Sequence, residues 1–357
     1  MKRLSRAVFS AVALTLACAS RQPDPPAQIV WTHAPPHADA DASIAAIADA
    51  TPVATAAEPA HSPRPITPIL PALRVENLRF REVSECARGV CRIEGRSPFA
   101  PTEIAADDGA TTLPPAMAWV EVIRPGASVS FTRRGEFDVL GVVLVGEVAL
   151  DRVDGPRTAS PSARPWTAFL SHAGGVTLRT LGREPSAVLL VTAAGETGET
   201  DAPGSLDLVT RDLSTTEDLA WAGGAMHARI AFEGPASRRA SLGVLIASDD
   251  APVAEHDHAT SWEVLSALSA SGRLHLPAQT VGERALPERD RTVTDGTIAY
   301  VPSGVRHGWR PDGTHPLIAV QVYAPAGPEQ RFRTLARAAS APQSEASNRP
   351  SNGAPTP

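Results

Sequence analysis

The sequence predicts an all-β protein with two barrels in tandem, on the basis of three observations. Strand-length apolar runs, often rich in β-branched residues, recur between residues 71 and 336. Glycine, proline, aspartate and serine separate these runs about every ten residues, as turns do. No long segment shows the apolar spacing of a helix. The region is long for one small barrel and has a natural length for two.

The apolar runs lie in both halves of this region. They are residues 118–123, 139–145, 187–191, 242–246 and 317–322. Each has the length of an ordinary strand. We therefore divide the region into a first lobe, residues 71–205, and a second lobe, residues 206–336.

The first 18 residues have the form of an export signal. A basic start, Met1–Arg6, precedes an apolar stretch, Ala7–Ala17, that is short for a membrane span. The stretch ends in the sequence LTLAC, which resembles a bacterial lipoprotein signal with Cys18 as the lipidated residue. Thr15 stands where leucine is more usual, so ordinary signal-peptidase cleavage near Ala19 is the alternative. Either reading predicts a location in the cell envelope or periplasm.

The composition of the two ends differs from that of the lobes. Residues 19–70 are dominated by proline, alanine, aspartate and threonine, with no persistent hydrophobic period. Such a segment cannot bury enough apolar surface to offset the entropy of ordering it. It predicts a disordered tether, which together with lipidated Cys18 connects the lobes to a membrane. Residues 337–357 are similarly polar and rich in proline, and predict a disordered tail.

Cysteine content and charge narrow the class of protein further. The chain has three cysteines, and Cys86 and Cys91 remain once Cys18 is assigned to the lipid. In an oxidising compartment this close pair predicts a disulfide around a small loop. The net charge is only −6 and no long basic stripe is present, which argues against a nucleic-acid partner.

One histidine pair in the second lobe has the spacing of metal ligands. In a strand, side chains alternate between the two faces, so His256 and His258 point the same way. Glu263 lies an odd number of residues from His258, and regular alternation sends it to the other face. A turn or bulge at residues 259–261 must therefore intervene for the carboxylate to join the two imidazoles.

A second motif follows about 40 residues later and presents another histidine. It consists of a glycine, a short strand, a Pro-x-Gly turn and His307 on the next strand. Pro302 presets one backbone angle, and Gly304 can adopt the positive φ that a tight turn requires. The motif therefore predicts a chain reversal that turns His307 inward.

Together the two motifs resemble the signature motifs of the cupin superfamily. The first is His-x-His, a glutamate and a glycine, here His256, His258, Glu263 and Gly272. The second is glycine, Pro-x-Gly and histidine, here Gly296, Pro302, Gly304 and His307. The resemblance implies that three histidines and one glutamate hold a single metal inside a double-stranded β-helix, or jelly roll. The predicted fold is thus two tandem cupin barrels.

The chain departs from the cupin pattern at two positions. Asp250 replaces a glycine that the pattern places before the first histidine, and Pro311 replaces an asparagine after the last one. Both positions shape turns, so the predicted ligands are unchanged. Three imidazoles and one carboxylate suit one divalent transition metal, which can be Mn, Fe, Ni, Co, Cu or Zn.

The first lobe reads as a second cupin barrel without metal ligands. Aligning the lobes on Gly146 and Gly272, and on two later strands, gives counterparts for the four ligands. The counterparts of His256, His258, Glu263 and His307 are Ser130, Thr132, Phe137 and Val176, in that order. None of these four binds metal readily. On this alignment His172 is a turn residue.

Further aromatic and histidine residues lie near the site in sequence. Some of them could shape an apolar pocket, although core packing is the ordinary role for each one. These residues are Trp262, His275, Tyr300, Trp309 and Tyr323. We expect His315 to lie in a loop.

Three functions are compatible with such a site, and the sequence places no general base. The first is an enzyme acting on a small organic molecule: dioxygenase-like with Fe, Cu or Ni, oxalate-decarboxylating or -oxidising with Mn, hydrolytic or isomerising with Zn. The second is a module that binds a small ligand such as a sugar. The third is a structural or sensing role for the metal. An acid or base beside the metal favours the first, whereas a closed site packed by Trp309 and Tyr323 favours the third.

Overall fold

The computed structural model describes residues 64–75, 78, 82–94, 116–131, 137–153, 161–172, 175–194, 208–234, 236–237 and 239–341. The predicted export signal with Cys18, the tether up to residue 63 and the tail from residue 342 lie outside these residues. Among the helices in the described part of the chain, none is long and apolar enough to cross a membrane.

The first lobe contains two antiparallel sheets. Its strands are β1 (Glu82–Ala87), β2 (Val90–Glu94), β3 (Ala116–Ile123), β4 (Ser128–Phe131), β5 (Phe137–Val145), β6 (Val148–Arg152), β7 (Ser162–Ala163), β8 (Thr167–Ser171), β9 (Val176–Thr180), β10 (Ser186–Ala194) and β11 (Leu208–Asp212). The larger sheet has the order β1-β2-β3-β10-β5-β8-β11, and the smaller one β4-β9-β6-β7. Because β11 pairs with β8, the first lobe extends past the predicted boundary at residue 205. Val143, Leu178 and Leu190 belong to the buried core that these sheets enclose.

The second lobe repeats this arrangement. Its strands are β12 (Leu219–Trp221), β13 (Met226–Phe232), β14 (Ser241–Ala247), β15 (Val253–His256), β16 (Trp262–Ser269), β17 (Ser271–Leu276), β18 (Gln279–Val281), β19 (Arg284–Leu286), β20 (Arg289–Thr294), β21 (Ile298–Val301), β22 (His307–Pro311) and β23 (Leu317–Ala324). One sheet has the order β12-β13-β14-β23-β16-β21 and the other β15-β22-β17-β20, with a separate β18-β19 hairpin. Leu265, Leu274 and Ala319 belong to the core of this barrel.

A third apolar core joins the two barrels. It contains Leu140 and Leu189 from the larger sheet of the first lobe, and Val244 and Val320 from the second lobe. Both faces of these sheets are therefore buried, one inside its barrel and one against the other barrel. This explains why β5 and β23 are almost continuously apolar, since a strand buried on both faces has no solvent side.

Tyr300 belongs to this junction and not to the predicted pocket. Its hydroxyl lies 3.1 Å from the backbone nitrogen of Ala118 and 3.2 Å from the carbonyl oxygen of the same residue. The phenol thus accepts one hydrogen bond from the first barrel and donates another to it. Two buried backbone groups at the edge of β3 are satisfied in this way.

The folded part of the chain begins earlier than the predicted boundary at residue 70. The backbone nitrogen of Ile66 donates to the carbonyl oxygen of Gly224 at 2.9 Å. Arg229 donates to the carbonyl oxygen of Pro68 at 3.1 Å. Residues 64–70, assigned to the tether from sequence, therefore pack on the barrels.

One α-helix follows the last strand and has no counterpart in the sequence prediction. This helix, α1, spans Gln330–Ser340, so it includes residues 337–340, which the sequence assigned to the disordered tail. Its buried Phe332 stacks on Trp221, with ring centroids 5.5 Å apart, and contacts Tyr323 at 6.5 Å. The helix is short and mostly polar, with Phe332 as its one buried residue, so the sequence did not predict it.

The hairpin at the start of the first lobe contains the cysteine pair. A disulfide joins Cys86 to Cys91, which face each other across β1 and β2. Between them Arg88 and Gly89 have φ angles of 50° and 83°. Two central residues with positive φ match the twist of an antiparallel hairpin.

Candidate metal centre

The four predicted ligands come from three strands and one bend. His256 ends β15 and pairs with His307, which begins β22. Glu263 is the second residue of β16, in the opposite sheet of the barrel. The site therefore lies inside the second barrel, where the ends of its two sheets approach each other.

His258 reaches the site by a route that differs from the prediction. Strand alternation placed it beside His256 on one strand, but β15 ends at His256. His258 lies in the bend that leads to β16, where its carbonyl oxygen accepts a hydrogen bond from Gly304 at 2.8 Å. The turn predicted at residues 259–261 is present, and it brings Glu263 to the same side as the imidazoles.

The ligand atoms form a compact cluster. One ligand atom from each of His256, His258, Glu263 and His307 can be chosen so that all four lie within 4.8 Å of one another. Oε2 of Glu263 lies 3.2 Å from Nε2 of His258 and 2.9 Å from Nε2 of His307. Three of the four side chains are buried, and His256 is half-buried.

Backbone carbonyls fix the orientation of two of the imidazoles. Nδ1 of His256 lies 2.8 Å from the carbonyl oxygen of Ala254, and Nδ1 of His307 lies 2.9 Å from that of Val305. A carbonyl oxygen only accepts, so each Nδ1 carries a proton. In the neutral imidazole this leaves a lone pair on Nε2, which is the arrangement that metal-binding histidines use.

The contact between His307 and Glu263 tests whether a metal fits. Nε2 of a neutral His307 presents a lone pair to a carboxylate oxygen only 2.9 Å away. Two lone pairs at this distance require a cation between or beside them, which is either a proton or a metal ion. The donor set of three imidazoles and one carboxylate is appropriate for a divalent transition metal, so the residues fit such an ion.

The electrostatics of the cluster favour the metal-binding forms of its residues. Burial lowers the pKa of His256 well below its ordinary value, and the neighbouring His307 and Arg331 lower it further. Burial alone would raise the pKa of Glu263, but the contacts with His258 and His307 outweigh it and hold that pKa well below the usual range. The cluster therefore offers a neutral His256 and an ionised carboxylate, the forms that coordinate metals.

Two residues of β23 support the cluster from behind. Nε2 of Gln321 donates to Oε1 of Glu263 at 2.8 Å, which leaves Oε2 for the metal. The ring of Tyr323 packs against His258, with ring centroids 4.9 Å apart. Burial and the charge of Glu263 raise the pKa of Tyr323 well above its ordinary value, so the phenol stays neutral. Gln321 was missed from sequence, although a glutamine inside an otherwise apolar run was a usable signal.

The cluster opens into an apolar cavity inside the barrel. The empty space measures about 440 Å³, including the part open to solvent. Besides His256, Glu263, His307 and Gln321, its walls are mainly aliphatic. Among them are Leu245, Leu265, Leu274, Val293, Ala299 and Leu317. Trp309 also lines this cavity and is only 4% exposed. Because open space remains beside the cluster, Trp309 and Tyr323 do not form the closed site that a purely structural metal would favour.

The remaining candidates lie away from the cavity. His275 is buried between two carboxylates, with Nδ1 2.8 Å from Asp290 and Nε2 3.2 Å from Glu255. His315 is exposed in the loop before β23, and Trp262 is half-buried at the start of β16. None of these three lines the cavity.

Strand register identifies the first-barrel counterparts of two ligands. Phe131 pairs with Val176 in β4 and β9, as His256 pairs with His307 in β15 and β22. The predicted counterpart of His307, Val176, agrees with this register. The predicted counterpart of His256, Ser130, is one residue too early.

A third counterpart also differs from the prediction. Val139 pairs with Ser171 at the end of β8, as Glu263 pairs with Val301 at the end of β21. Val139 therefore corresponds to Glu263, and the predicted Phe137 lies two residues too early. Val139 is buried in the core of the first barrel.

The slip has a local cause. The alignment from sequence matched Gly146 with Gly272, but these glycines meet different needs. Gly146 lies in the turn between β5 and β6 with a φ of 77°. Gly272 lies within β17, where an added Cβ would come 2.7 Å from the ring of Trp309. One glycine allows a turn and the other makes room for an indole.

Two first-lobe assignments complete the comparison of the barrels. Thr132, the predicted counterpart of His258, lies outside the described residues. His172 follows β8, in agreement with its assignment to a connection between strands, and its Nδ1 lies 3.4 Å from Asp138. Within the described residues, the metal-binding group of the second barrel has no equivalent in the first.

Comparisons with known proteins agree with the fold. No protein-family model and no curated protein matches the sequence. A tryptophan-to-tyrosine variant of oxalate decarboxylase from Bacillus subtilis is similar in structure, with 15% identity, a TM-score of 0.51, and coverage of 68% of this chain and 74% of that chain. A serine-to-alanine mutant of the same enzyme matches with 15% identity and a TM-score of 0.52, over 68% and 75% of the two chains.

At such low identity the likeness shows the fold alone. The predicted all-β class with two tandem cupin barrels is confirmed. The chain thus has a bicupin fold, and its second barrel carries a metal-binding group of three histidines and one glutamate.

Proposed function

We propose that this chain is a metal-dependent oxidoreductase of the dioxygenase-like class that acts on a small organic molecule. The observation that carries the proposal is the four-residue cluster that opens directly into the apolar cavity of the second barrel. Four protein ligands leave about two positions on a six-coordinate ion for other molecules. A substrate held in the cavity therefore meets the metal directly.

The chain's own residues bind and orient the ion and exclude water. His256 and His307 are oriented by backbone carbonyls, and Gln321 holds Glu263. The aliphatic walls keep bulk water from the reacting atoms. When bound, a redox-active ion such as iron, copper or nickel supplies the electron transfer that dioxygen chemistry requires.

The cavity walls favour redox chemistry over proton-transfer chemistry. Among the described residues that line the cavity, the titratable groups are His256, Glu263 and His307, which are the metal ligands themselves. Hydrolysis and isomerisation commonly use a positioned general acid or base in addition. A dioxygenase-like reaction places both oxygen atoms in the product, so it needs neither a separate reductant nor a wall residue that shuttles protons.

The first test measures metal content and open coordination positions together. We expect about one metal ion per chain in the full-length protein by elemental analysis, and near none in the double variant His256→Ala/His307→Ala. The iron(II)-loaded protein is then exposed to nitric oxide, a probe for positions that dioxygen can reach, and followed by electron paramagnetic resonance. His315→Ala, which removes an exposed imidazole elsewhere, is the matched control and should behave as wild type.

Each outcome of this test has a distinct meaning. Iron binding with a nitrosyl signal supports the proposal. A wild type that takes up no metal, even after reconstitution with several ions, contradicts it. Tight metal binding without a nitrosyl signal would support the metal site but contradict the dioxygenase-like activity.

The second candidate is a module that binds a small ligand without converting it. It rests on the same lack of an additional acid or base in the cavity walls. The two candidates differ in whether the metal-loaded protein consumes dioxygen when a bound compound is present. Recovery of the compound unchanged, with no oxygen uptake, favours the binding module.

We also propose that the protein is exported and attached to a membrane of the cell envelope by a lipid on Cys18. The proposal rests on the basic start, the apolar stretch and the small residue before this cysteine. Labelling with radioactive palmitate in a bacterial host tests it. We expect label in the wild type and none in Cys18→Ala, whereas a soluble, unlabelled wild type would indicate ordinary cleavage.

A further inference from the structure

The metal-site cavity has walls of one chemical kind. Leu245, Leu265, Leu274 and Leu317 line it together with Ala299. These side chains form no hydrogen bonds with a ligand, so they contribute to its binding only through the burial of apolar surface. A ligand group that needs water, such as a second carboxylate or a row of hydroxyls, would lose its solvation here without compensation.

The polar groups of the cavity are concentrated at one end. His256, Glu263 and His307 lie together at the metal-binding cluster, and the amide of Gln321 is already bonded to Glu263. A divalent ion held by a single carboxylate keeps a net positive charge. A negative head group on the ion is therefore electrostatically favoured.

One donor lies apart from this cluster. The indole nitrogen of Trp309 is buried and has no hydrogen-bond partner among the described residues. The close approach of the indole to Gly272 holds the ring in place, since a Cβ there would come 2.7 Å from it. A buried donor without a partner is costly, so this nitrogen can accommodate a single acceptor atom on a ligand or a water molecule.

Resting on the proposed function, we infer that the ligand is a compact amphiphile with one carboxylate or similar oxyanion and an apolar body. The oxyanion lies at the metal, and the body extends between the aliphatic walls. Extended dicarboxylates and sugars are excluded by the same walls. The substrate of the structurally similar oxalate decarboxylase, a small diacid with no apolar part, is a poor match to this cavity.

The test uses the full-length chain loaded with cobalt(II), whose visible absorption reports on ligands that enter its coordination sphere. Acetate, butanoate, succinate and oxalate are titrated as probes. Acetate and butanoate differ only in two methylenes, whereas butanoate and succinate are similar in length and differ in the polarity of the far end. The dissociation constants come from the absorption change, independently of any activity.

The expected order of affinity follows from burial. Each buried methylene strengthens binding about fourfold, so butanoate should bind at least about tenfold more tightly than acetate. Succinate should bind at least about tenfold more weakly than butanoate, because its second carboxylate would be desolvated. Equal affinities for acetate and butanoate, or tighter binding of succinate or oxalate, would overturn the inference.

Two substitutions of residues that line the cavity add to the test, one by filling the cavity and the other by enlarging it. Ala299→Leu fills part of the cavity, so the advantage of butanoate over acetate should disappear while cobalt content and acetate affinity stay unchanged. Leu317→Ala enlarges the cavity and should raise the affinity for hexanoate relative to butanoate. If Ala299→Leu does not fold, Leu317→Ala and the wild-type series still decide.

The proposed function and the inference fail in different ways. A chain that binds no cobalt contradicts both. A chain that binds cobalt, but whose spectrum no carboxylate changes or changes without regard to the apolar part, contradicts the inference and leaves the metal site standing.

Discussion

The two barrels share one architecture but differ where metal ligands would stand. In the second barrel three equivalent positions hold His256, Glu263 and His307, and in the first they hold Phe131, Val139 and Val176. The residues in the second barrel are polar, and a cation is needed between their facing lone pairs. The residues in the first barrel are apolar and complete an ordinary core.

This difference affects how each barrel gains stability. The first barrel gains stability from every side chain it buries at these positions, because apolar burial needs no ion. The second barrel buries a carboxylate and imidazoles, which is unfavourable unless they are paired or coordinate a metal. The first barrel therefore has the apolar interior of a scaffold, and it shares a core with the barrel that holds the cluster.

The largest expected effect comes from placing the glutamate in the first barrel. Val139→Glu should lower the free energy of unfolding by about 4 kcal/mol, since the new carboxylate is buried without a partner. Chemical denaturation at neutral pH measures the loss. Val139→Met, similar in length and uncharged, is the control and should lose clearly less. If the two variants were equally stable, the position would not be the apolar counterpart of Glu263.

A second comparison uses the metal itself. At a free metal concentration one hundred times its dissociation constant, the ion should stabilise the protein by about 2.7 kcal/mol. Thermal unfolding with and without metal measures this as a shift in melting temperature. The shift should persist in Val176→Ala and vanish in His307→Ala, although the two residues are equivalent in register. A shift that survives His307→Ala would place the ion elsewhere.

The cluster of three histidines and one glutamate was largely predictable from sequence because its determinants are local. His307 follows a Pro-x-Gly turn, and Gly296 and Gly304 adopt the positive φ values, 78° and 73°, that such turns favour. Short motifs of this kind fix the backbone within a few residues. The same locality explains an error: alternation was extended two residues beyond the end of β15, so His258 was placed on a strand.

Features that depend on distant contacts could not be assigned a partner from sequence. Gln321 supports Glu263 from 58 residues away, and only the pairing of β16 with β23 brings them together. Asp250 looked like a simple departure from a motif, yet it accepts hydrogen bonds from Ser248 and from Arg64 at the start of the described chain. The register of the first barrel failed for another reason, since the two glycines used to align the lobes, Gly146 and Gly272, meet different backbone needs.

A smaller effect is expected from the residue that holds Glu263. Gln321→Leu keeps the volume of the side chain but removes the hydrogen bond to Oε1 of the carboxylate. Loss of such a supporting contact typically weakens metal binding about 10- to 100-fold. Competition with a chelator of known affinity measures the change. Unchanged affinity would show that the glutamine serves only as filling between the sheets.

The smallest expected effect concerns the contact between the barrels. Asp138, next to Val139 on β5, accepts hydrogen bonds from Ser237 at 2.8 Å and from Arg239 at 3.2 Å, both in the second lobe. Burial would raise the pKa of Asp138, but the hydrogen bonds from His172 and Ser237 and the charge of Arg239 outweigh it and hold the pKa below its ordinary value of 3.8.

The direction of that shift gives the pH dependence. A carboxyl group whose pKa is lowered in the folded state contributes stability that is complete above the unfolded value and is lost as the pH falls through the folded one. Asp138→Asn should therefore lower the free energy of unfolding by about 1–2 kcal/mol at neutral pH. The difference from wild type should shrink below about pH 4, where the wild-type carboxyl is increasingly protonated in the unfolded chain.

Metal affinity should stay unchanged in this variant, because the contact stabilises the scaffold and does not touch the ligands. A parallel loss of metal affinity would instead show that the first barrel positions the site as well as supporting it.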